Sequence, residues 1–315
     1  MKKLFLMAIG LLLSLSAFSQ QWGVVNISVC NMRSTPDFTA EMISQALLGT
    51  PVHILRTGGS NNWPEVVTPD GYKGWVHKDV ITRMDFDDYH SWNAARKVVV
   101  TALSTLVYQK ASAKSATLSD AVAGNRLLYL GTKNNFYKVG FPDGRIGYIS
   151  TKDAQEERAW RKELDQSPKA ILKTAKSMLG FPYIWAGMSP KGMDCSGFVR
   201  TVLYMHDIII PRDAGPQALE GERITDMEKL EPGDLVFFGR WKEDGKPAVG
   251  HVGFYLGDGR FIHSLGLVKI GSFDAKDPLY DAFNTGRYLF GGRVLPYVNQ
   301  DPDLTTTLTN PFYAE

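Results

Sequence analysis

A duplication constrains this chain more than any other feature. Asn61-Asn62-Trp63-Pro64-Glu65-Val66-Val67-Thr68-Pro69-Asp70-Gly71 aligns with Asn134-Asn135-Phe136-Tyr137-Lys138-Val139-Gly140-Phe141-Pro142-Asp143-Gly144. Both copies continue alike, into Gly74-Trp75-Val76 and Gly147-Tyr148-Ile149, with Lys78-Asp79 and Lys152-Asp153 following one residue out of step. Short β-branched and aromatic runs alternate within each copy, and Pro-Asp-Gly turns separate them. Two strand-rich repeats of roughly 60–70 residues predict two small β-barrels in tandem, over 20–84 and 85–155.

These repeats resemble bacterial SH3 domains, which usually accompany catalytic domains in exported wall enzymes. Residues 156–167 are mostly charged and read as a linker. A helix then opens with Ser167 as N-cap and Pro168 at its first position, and Ile171, Leu172, Ala175, Met178 and Leu179 recur at helical spacing before Gly180. Helix and strand patterns mix from 168 to 298. The tail, 299–315, has no clear period and is expected to wrap the surface.

The N-terminus carries Lys2-Lys3, ten apolar residues from Leu4 to Leu13, and a small-residue stretch containing Ala17-Phe18-Ser19. That order is a secretory signal peptide, expected over 1–19, and its apolar run is too short for the ~20 residues of a membrane span. No Cys lies near the cleavage point, so no lipid anchor is expected. The mature chain is expected to be exported, to the periplasm or, in a host without an outer membrane, to the wall or medium. The 35 Lys and Arg face 33 Asp and Glu, and two of those positives are Lys2 and Lys3, so the mature charge balances. Such a chain lacks the basic surface that nucleic-acid binding needs. A soluble monomer without cofactor is the expectation.

Two cysteines remain, Cys30 and Cys195. An oxidising compartment can join them, or leave one as a reactive thiol. Cys30 has no nearby His or capped helix and reads as buried filler. Asp194-Cys195-Ser196-Gly197 precedes a run whose apolar residues fit a buried helix, with Asp194 as its cap and Cys195 in its first turn. Free N–H groups and the positive dipole end are expected to lower the thiol pKa there, and can receive an oxyanion. A small buried core residue is the competing reading of Cys195.

Of six histidines, His53, His77 and His90 belong to or follow the first repeat, and His206 lies ~16 Å along the Cys195 helix. His251 and His263 sit on two runs joined by Gly257-Asp258-Gly259. In a hairpin closed by that loop, Leu256 faces Arg260, Gly253 faces His263, and both histidines share one face as diagonal neighbours. Two adjacent imidazoles supply a base and an orienter for a thiol. Zinc held by Cys195, His251 and His263 is the minor alternative, because no close-spaced ligand pair or fourth ligand accompanies them.

Tyr183-Ile184-Trp185-Ala186-Gly187, Asp194-Cys195-Ser196-Gly197, Pro232-Gly233-Asp234-Leu235-Val236-Phe237-Phe238 and Gly250-His251-Val252-Gly253 occur in that order. Over residues 168–298 the chain resembles the NlpC/P60 cysteine peptidases, and, with two SH3 domains in front, the gamma-D-glutamyl-L-diamino acid endopeptidases of dipeptidyl-peptidase VI type. The resemblance implies an α+β fold: a papain-like NlpC/P60 catalytic domain preceded by two small SH3-like β-barrels. It makes Cys195 the nucleophile, His251 the base and His263 the orienting residue, with Tyr183 facing the oxyanion. Ala186 departs from the family's usual Gly. The subfamily binds peptidoglycan-derived peptides through a free amino end, which implies Asp194, Ser196, Asp213 and Ala214 around the nucleophile, and Glu41 and Tyr72 from the first SH3 domain. Cap, turn and barrel-surface readings stay open for Asp194, Asp213, Glu41 and Tyr72. A non-catalytic wall-binding protein, and a thiol amidase or acyltransferase acting on another substrate, are the alternatives.

Overall fold

The computed structural model describes residues 21–314 apart from Ser60; the expected signal segment, 1–19, lies outside the described residues. Strands β1 (Trp22–Val25), β2 (Val29–Arg33), β3 (Met42–Leu47), β4 (Pro51–Gly58), β5 (Trp63–Val67), β6 (Lys73–Trp75) and β7 (Ile81–Met84) form one sheet in the order β3-β2-β6-β5-β4-β1-β7. Strands β8 (Lys97–Val100), β9 (Ser104–Tyr108), β10 (Thr117–Val122), β11 (Arg126–Lys133), β12 (Phe136–Gly140), β13 (Ile146–Ser150) and β14 (Ala154–Glu156) repeat that order strand for strand. Each barrel buries a separate core: Cys30, Met32, Val52 and Val66 in the first, Val107, Leu127, Val139 and Ile149 in the second. Alternation drives this, as in β2, where exposed Asn31 separates buried Cys30 and Met32. Helix α1 (Phe86–Ala94), capped by Asp85, lies between them.

The charged segment after the second barrel is more than a linker. It contains α2 (Glu157–Glu163), whose charges join a buried network: Arg126 pairs with Glu157 at 2.8 Å and with Asp207 at 3.4 Å, and Arg161 with Asp207 at 3.1 Å. Buried opposite charges need such partners, so this segment fastens the second barrel to the C-terminal domain. Helix α3 (Pro168–Ser177) follows, with the Ser167 side chain accepting from Ala170 N–H.

A two-stranded ribbon, β15 (Met188–Ser189) and β16 (Gly192–Met193), leads into α4 (Cys195–Tyr204), in which every residue is buried. After α5 (Ala214–Gln217), strands β17 (Glu222–Ile224), β18 (Leu235–Trp241), β19 (Pro247–Gly257), β20 (Arg260–Leu265), β21 (Leu267–Ser272) and β22 (Tyr288–Arg293) make a sheet ordered β17-β22-β18-β19-β20-β21. Helix α6 (Ala282–Thr285) stands just before β22. Phe198, Val199 and Val202 of α4 pack into one core with Val252, Phe254 and Ile262 of β19 and β20, which sets the helix bearing Cys195 against the strands bearing the histidines.

The tail does not simply wrap the surface. Thr305 bridges to Ile209, Thr307 donates to Asp207 at 2.7 Å, Asn310 donates to the Pro69 carbonyl at 2.8 Å, and Tyr89 donates to the Phe312 carbonyl at 2.8 Å. Its polar side chains and backbone satisfy buried groups of the barrels and the C-terminal domain, which carries them inward. Among the described residues, no helix is long and apolar enough to cross a membrane.

Candidate active site

Helix α4 starts where it does because Asp194 is extended and its carboxylate accepts from Gly197 N–H at 2.7 Å. Gly197 permits the tight seating of that turn, since a Cβ there would lie 2.0 Å from the Gly187 carbonyl oxygen. The same carboxylate accepts from Ala186 N–H at 3.0 Å and from both terminal nitrogens of Arg212, at 2.6 and 3.2 Å. Arg212 also donates to Ser196 Oγ at 2.9 Å. Asp194 therefore serves as cap and as the anchor of a buried Arg, and its acceptor capacity is taken up inside the protein.

Cys195 and Cys30 are both free and both buried. Burial pushes the Cys30 thiol up to about 12. The expected lowering at Cys195 is reversed. Burial first, and Asp194 second, push its thiol up to about 11, against the pull of the Val252 and Ser196 backbone groups and of Arg212. Desolvation of the thiol outweighs the helix-end field here.

The histidines meet as their spacing predicts. Gly253 stands opposite His263 in the β19–β20 pair. Leu256 does not face Arg260; it bulges, and Gly257 takes that partner. The bulge sits on the turn side of Tyr255, so the register at the histidines is preserved. Gly253 makes room, because a Cβ there would lie 2.9 Å from His263 Cβ and 2.6 Å from the Ile262 carbonyl oxygen. His251 Nε2 lies 2.8 Å from His263 Nδ1, with the rings at 83°. Burial, then neighbouring His263, holds His251 far below its usual range, at about 3. Burial likewise holds His263 at about 4, with Asp281 pulling the other way.

Asp281, the N-cap of α6, was not among the sequence candidates. Its carboxylate Oδ2 faces His263 Nε2 at 3.6 Å, and that buried nitrogen has no hydrogen-bond partner. A carboxylate there favours the proton on His263 Nε2, making Nδ1 the acceptor for His251 Nε2–H. His251 Nδ1 is then left unprotonated, able to act as a base.

A cleft of about 470 Å³ brings nine of the ten sequence candidates together: Glu41, Tyr72, Tyr183, Asp194, Cys195, Ser196, Asp213, Ala214 and His251. The tenth, His263, stands behind His251. Tyr72 hydrogen-bonds Asp213, and Trp185 donates its indole N–H to Glu41 at 2.9 Å. Burial, then Asp194 against the opposing pull of Arg212, raises the Asp213 carboxyl above its usual value. Burial pushes the Tyr183 phenol up to about 12, with Cys195 adding to it, so it is a proton donor at neutral pH. The first barrel is held at this rim by Gln45, which accepts from Met188 N–H at 2.8 Å, and by the buried Asp70–Arg200 pair at 2.8 Å. His206 is occupied elsewhere, within 2.8 Å of both Thr174 Oγ1 and the Asp165 carbonyl. No group of three or more His, Cys, Asp or Glu among the described residues could hold a metal ion.

Arg212 directly precedes the candidate Asp213, and Trp185 lies in the run from Tyr183, so both had a sequence signal. Asp281 and Arg287, which lines the same cleft, had none.

Residues 180–283 match the NlpC/P60 family and residues 28–82 match the bacterial SH3 domain. The chain is 36% identical over 230 residues to the gamma-D-glutamyl-L-lysine dipeptidyl-peptidase of Bacillus cereus, covering 70% of this chain and 66% of that one. It is 30% identical over 276 residues to dipeptidyl-peptidase 6 of Lysinibacillus sphaericus, covering 82% and 93% respectively. The crystal structure of a Bacillus cereus NlpC/P60 family protein superposes with a TM-score of 0.74 at 26% identity, over 87% of this chain and all of that one.

Proposed function

This chain belongs to the NlpC/P60 family of cysteine peptidases, and on that premise we propose that it hydrolyses the bond between the D-glutamate γ-carboxyl and the diamino acid of peptidoglycan stem peptides whose L-Ala amine is free. The dipeptidyl-peptidase names of the two relatives support the bond. The observation that carries the amine requirement is that the first barrel brings Glu41 and Tyr72 into the cleft of Cys195, with Tyr72 beside Asp213. With Asp194 tied to Arg212, Glu41 and Asp213 are the carboxylates left to meet an ammonium group.

Thiol and imidazoles both rest neutral, because burial disfavours their charged forms. Proton transfer from Cys195 Sγ to His251 Nδ1 therefore accompanies attack on the glutamyl carbonyl carbon. The oxyanion is received by the Cys195 N–H at the start of α4 and by the Tyr183 hydroxyl. His251, now charged, is steadied by His263 and Asp281 behind it, and gives its proton to the leaving amine. Water, activated by the same imidazole, releases L-Ala-γ-D-Glu from Cys195. A free-amine requirement restricts the enzyme to peptides detached from glycan, which suits turnover or recycling of fragments outside the cytoplasm. The order of charge and hydropathy in residues 1–19 supports export.

Mass spectrometry of L-Ala-γ-D-Glu-L-Lys beside its N-acetylated form, with Cys195→Ala as control, tests this reading. Release of L-Ala-D-Glu from the free peptide alone, lost in the variant, is expected. Equal cleavage of both peptides, or cleavage of intact sacculi as readily as the tripeptide, overturns the amine requirement.

A further inference from the structure

We propose that Arg287 is a specificity residue that binds the carboxylate of the departing diamino acid, so that the cleft reads a peptide between an ammonium end and a carboxylate end. The inference rests on the peptide-hydrolase reading above. Arg287 lies between α6 and β22, with its backbone fixed at both ends: its N–H donates to the Asn284 carbonyl and its carbonyl accepts from Gly239 N–H. The side chain lines the cleft, and its guanidinium carbon stands 4.7 Å from the centre of the Phe283 ring. Its Nε is buried without a hydrogen-bond partner, and it forms no ion pair among the described residues. Stacked on an aromatic face and offering unpaired donors, a guanidinium suits a planar carboxylate.

The distribution of charge gives the direction. Glu41, Asp194 and Asp213 are the other charged side chains lining the cleft, and all are acidic. Arg287 stands on the histidine side, where its carbonyl accepts from Gly239 N–H, next to Phe238, the strand partner of His251, and where Asp281 is the carboxylate that bears on it. Asp213 is instead influenced by Arg212, Asp194, Tyr72 and Asp70. Cys195 thus stands between the acidic side chains at the first barrel and one cation, outside any ion pair among the described residues, on the histidine side. A peptide with its amine at Glu41 and Asp213 and its scissile carbonyl at Cys195 sends its leaving residue toward Arg287. In the tripeptide the α-carboxylate of that residue is free; in a longer stem it is an amide.

The test compares kcat/KM of the full chain and of Arg287→Gln and Arg287→Lys on L-Ala-γ-D-Glu-L-Lys, its C-terminal amide, and the tripeptide amidated at the α-carboxyl of D-Glu. The unaltered protein is expected to prefer the free C-terminal acid over its amide by about ten- to a hundredfold. Arg287→Gln brings that ratio to about one, and Arg287→Lys retains part of it. A preference that follows the D-Glu α-carboxyl instead, or an Arg287→Gln loss equal on all three peptides, overturns the proposal. If the unaltered protein cuts none of the peptides, the substrate reading fails on its own. Calorimetric binding of the acid and amide to Cys195→Ala, with and without Arg287→Gln, then decides the role of Arg287: no acid preference, or one that survives the Gln substitution, rejects it.

Discussion

His263 turns its Nε2 toward the Asp281 carboxylate, 3.6 Å away, while its Nδ1 meets His251. The proposed relay of Cys195, His251 and His263 is thereby extended by an acid that favours the proton on His263 Nε2. Burial opposes ionisation of Asp281, but backbone and side-chain N–H groups of Asn284 hold its carboxyl below the usual range. Asp281→Asn keeps the cap of α6, because Asn caps helices well, and removes the charge. The expected result is a kcat lower by about ten- to a hundredfold with KM little changed and the fold intact. Unchanged kcat would remove Asp281 from the relay.

The raised Cys195 thiol has a direct chemical readout. Inactivation by iodoacetamide, which needs thiolate, should accelerate about tenfold per pH unit from pH 6 to 9 without levelling off. Cys30, buried and raised to about 12, should not contribute. A plateau below pH 8 would instead report a preformed thiolate–imidazolium pair.

The buried imidazoles link stability to pH. His251 and His263 have folded pKa values depressed below the ~6.5 of an unfolded histidine. Above that value both states are neutral and the pair costs nothing. As pH falls from 6.5 toward 4, the unfolded chain binds protons that the folded chain refuses, and stability drops by about 3 kcal/mol for His263. Urea denaturation across that window should show the loss, and His263→Asn should flatten it. Equal slopes in both proteins would contradict the depressed values.

The places of Cys195 and both histidines were legible because each belongs to a periodic element. An Asx cap before an apolar helix announces Cys195, and a three-residue turn between alternating runs puts His251 and His263 on one face. The barrels were legible because the chain states their pattern twice. Asp281 and Arg287 were not, since they arrive on an irregular return between β21 and β22 with no register to the histidine strands. The thiol was misjudged because a helix-end field is visible in sequence while the packing of Phe198, Val252 and their neighbours over it is not. Likewise the polar tail gave no sign of the buried Asp207 and the partly buried Arg161 it would meet.

Ala186 shows what its family's usual glycine provides. It is buried with φ +60, the left-handed region that a Cβ disfavours. That conformation points its N–H at Asp194, so the strain is held by the cap of α4. Ala186→Gly should raise stability by about 1 kcal/mol in urea denaturation, with kcat unaffected. Destabilisation would mean that the Ala methyl packs to an advantage greater than its strain.

The two copies of the Pro-Asp-Gly turn have diverged in a way that stability can report. Asp143 in the second barrel pairs with its own neighbour Arg145 at 2.7 Å, both partly exposed. Asp70 in the first reaches across to Arg200 on α4 at 2.8 Å, with side-chain exposures of 1% and 8%. An exposed pair contributes little, whereas removing one partner of a buried pair leaves an uncompensated charge. Asp143→Ala should therefore shift the unfolding free energy by under ~1 kcal/mol. Asp70→Ala should lower it by about 3 kcal/mol and, by loosening the barrel that carries Glu41 and Tyr72, raise KM for the tripeptide. Restoring neutrality with Asp70→Ala and Arg200→Met together should recover part of the stability but not the KM, because the apolar pair no longer fixes the barrel against α4. Equal effects of the two single substitutions would mean that the first barrel is held by its backbone contacts alone.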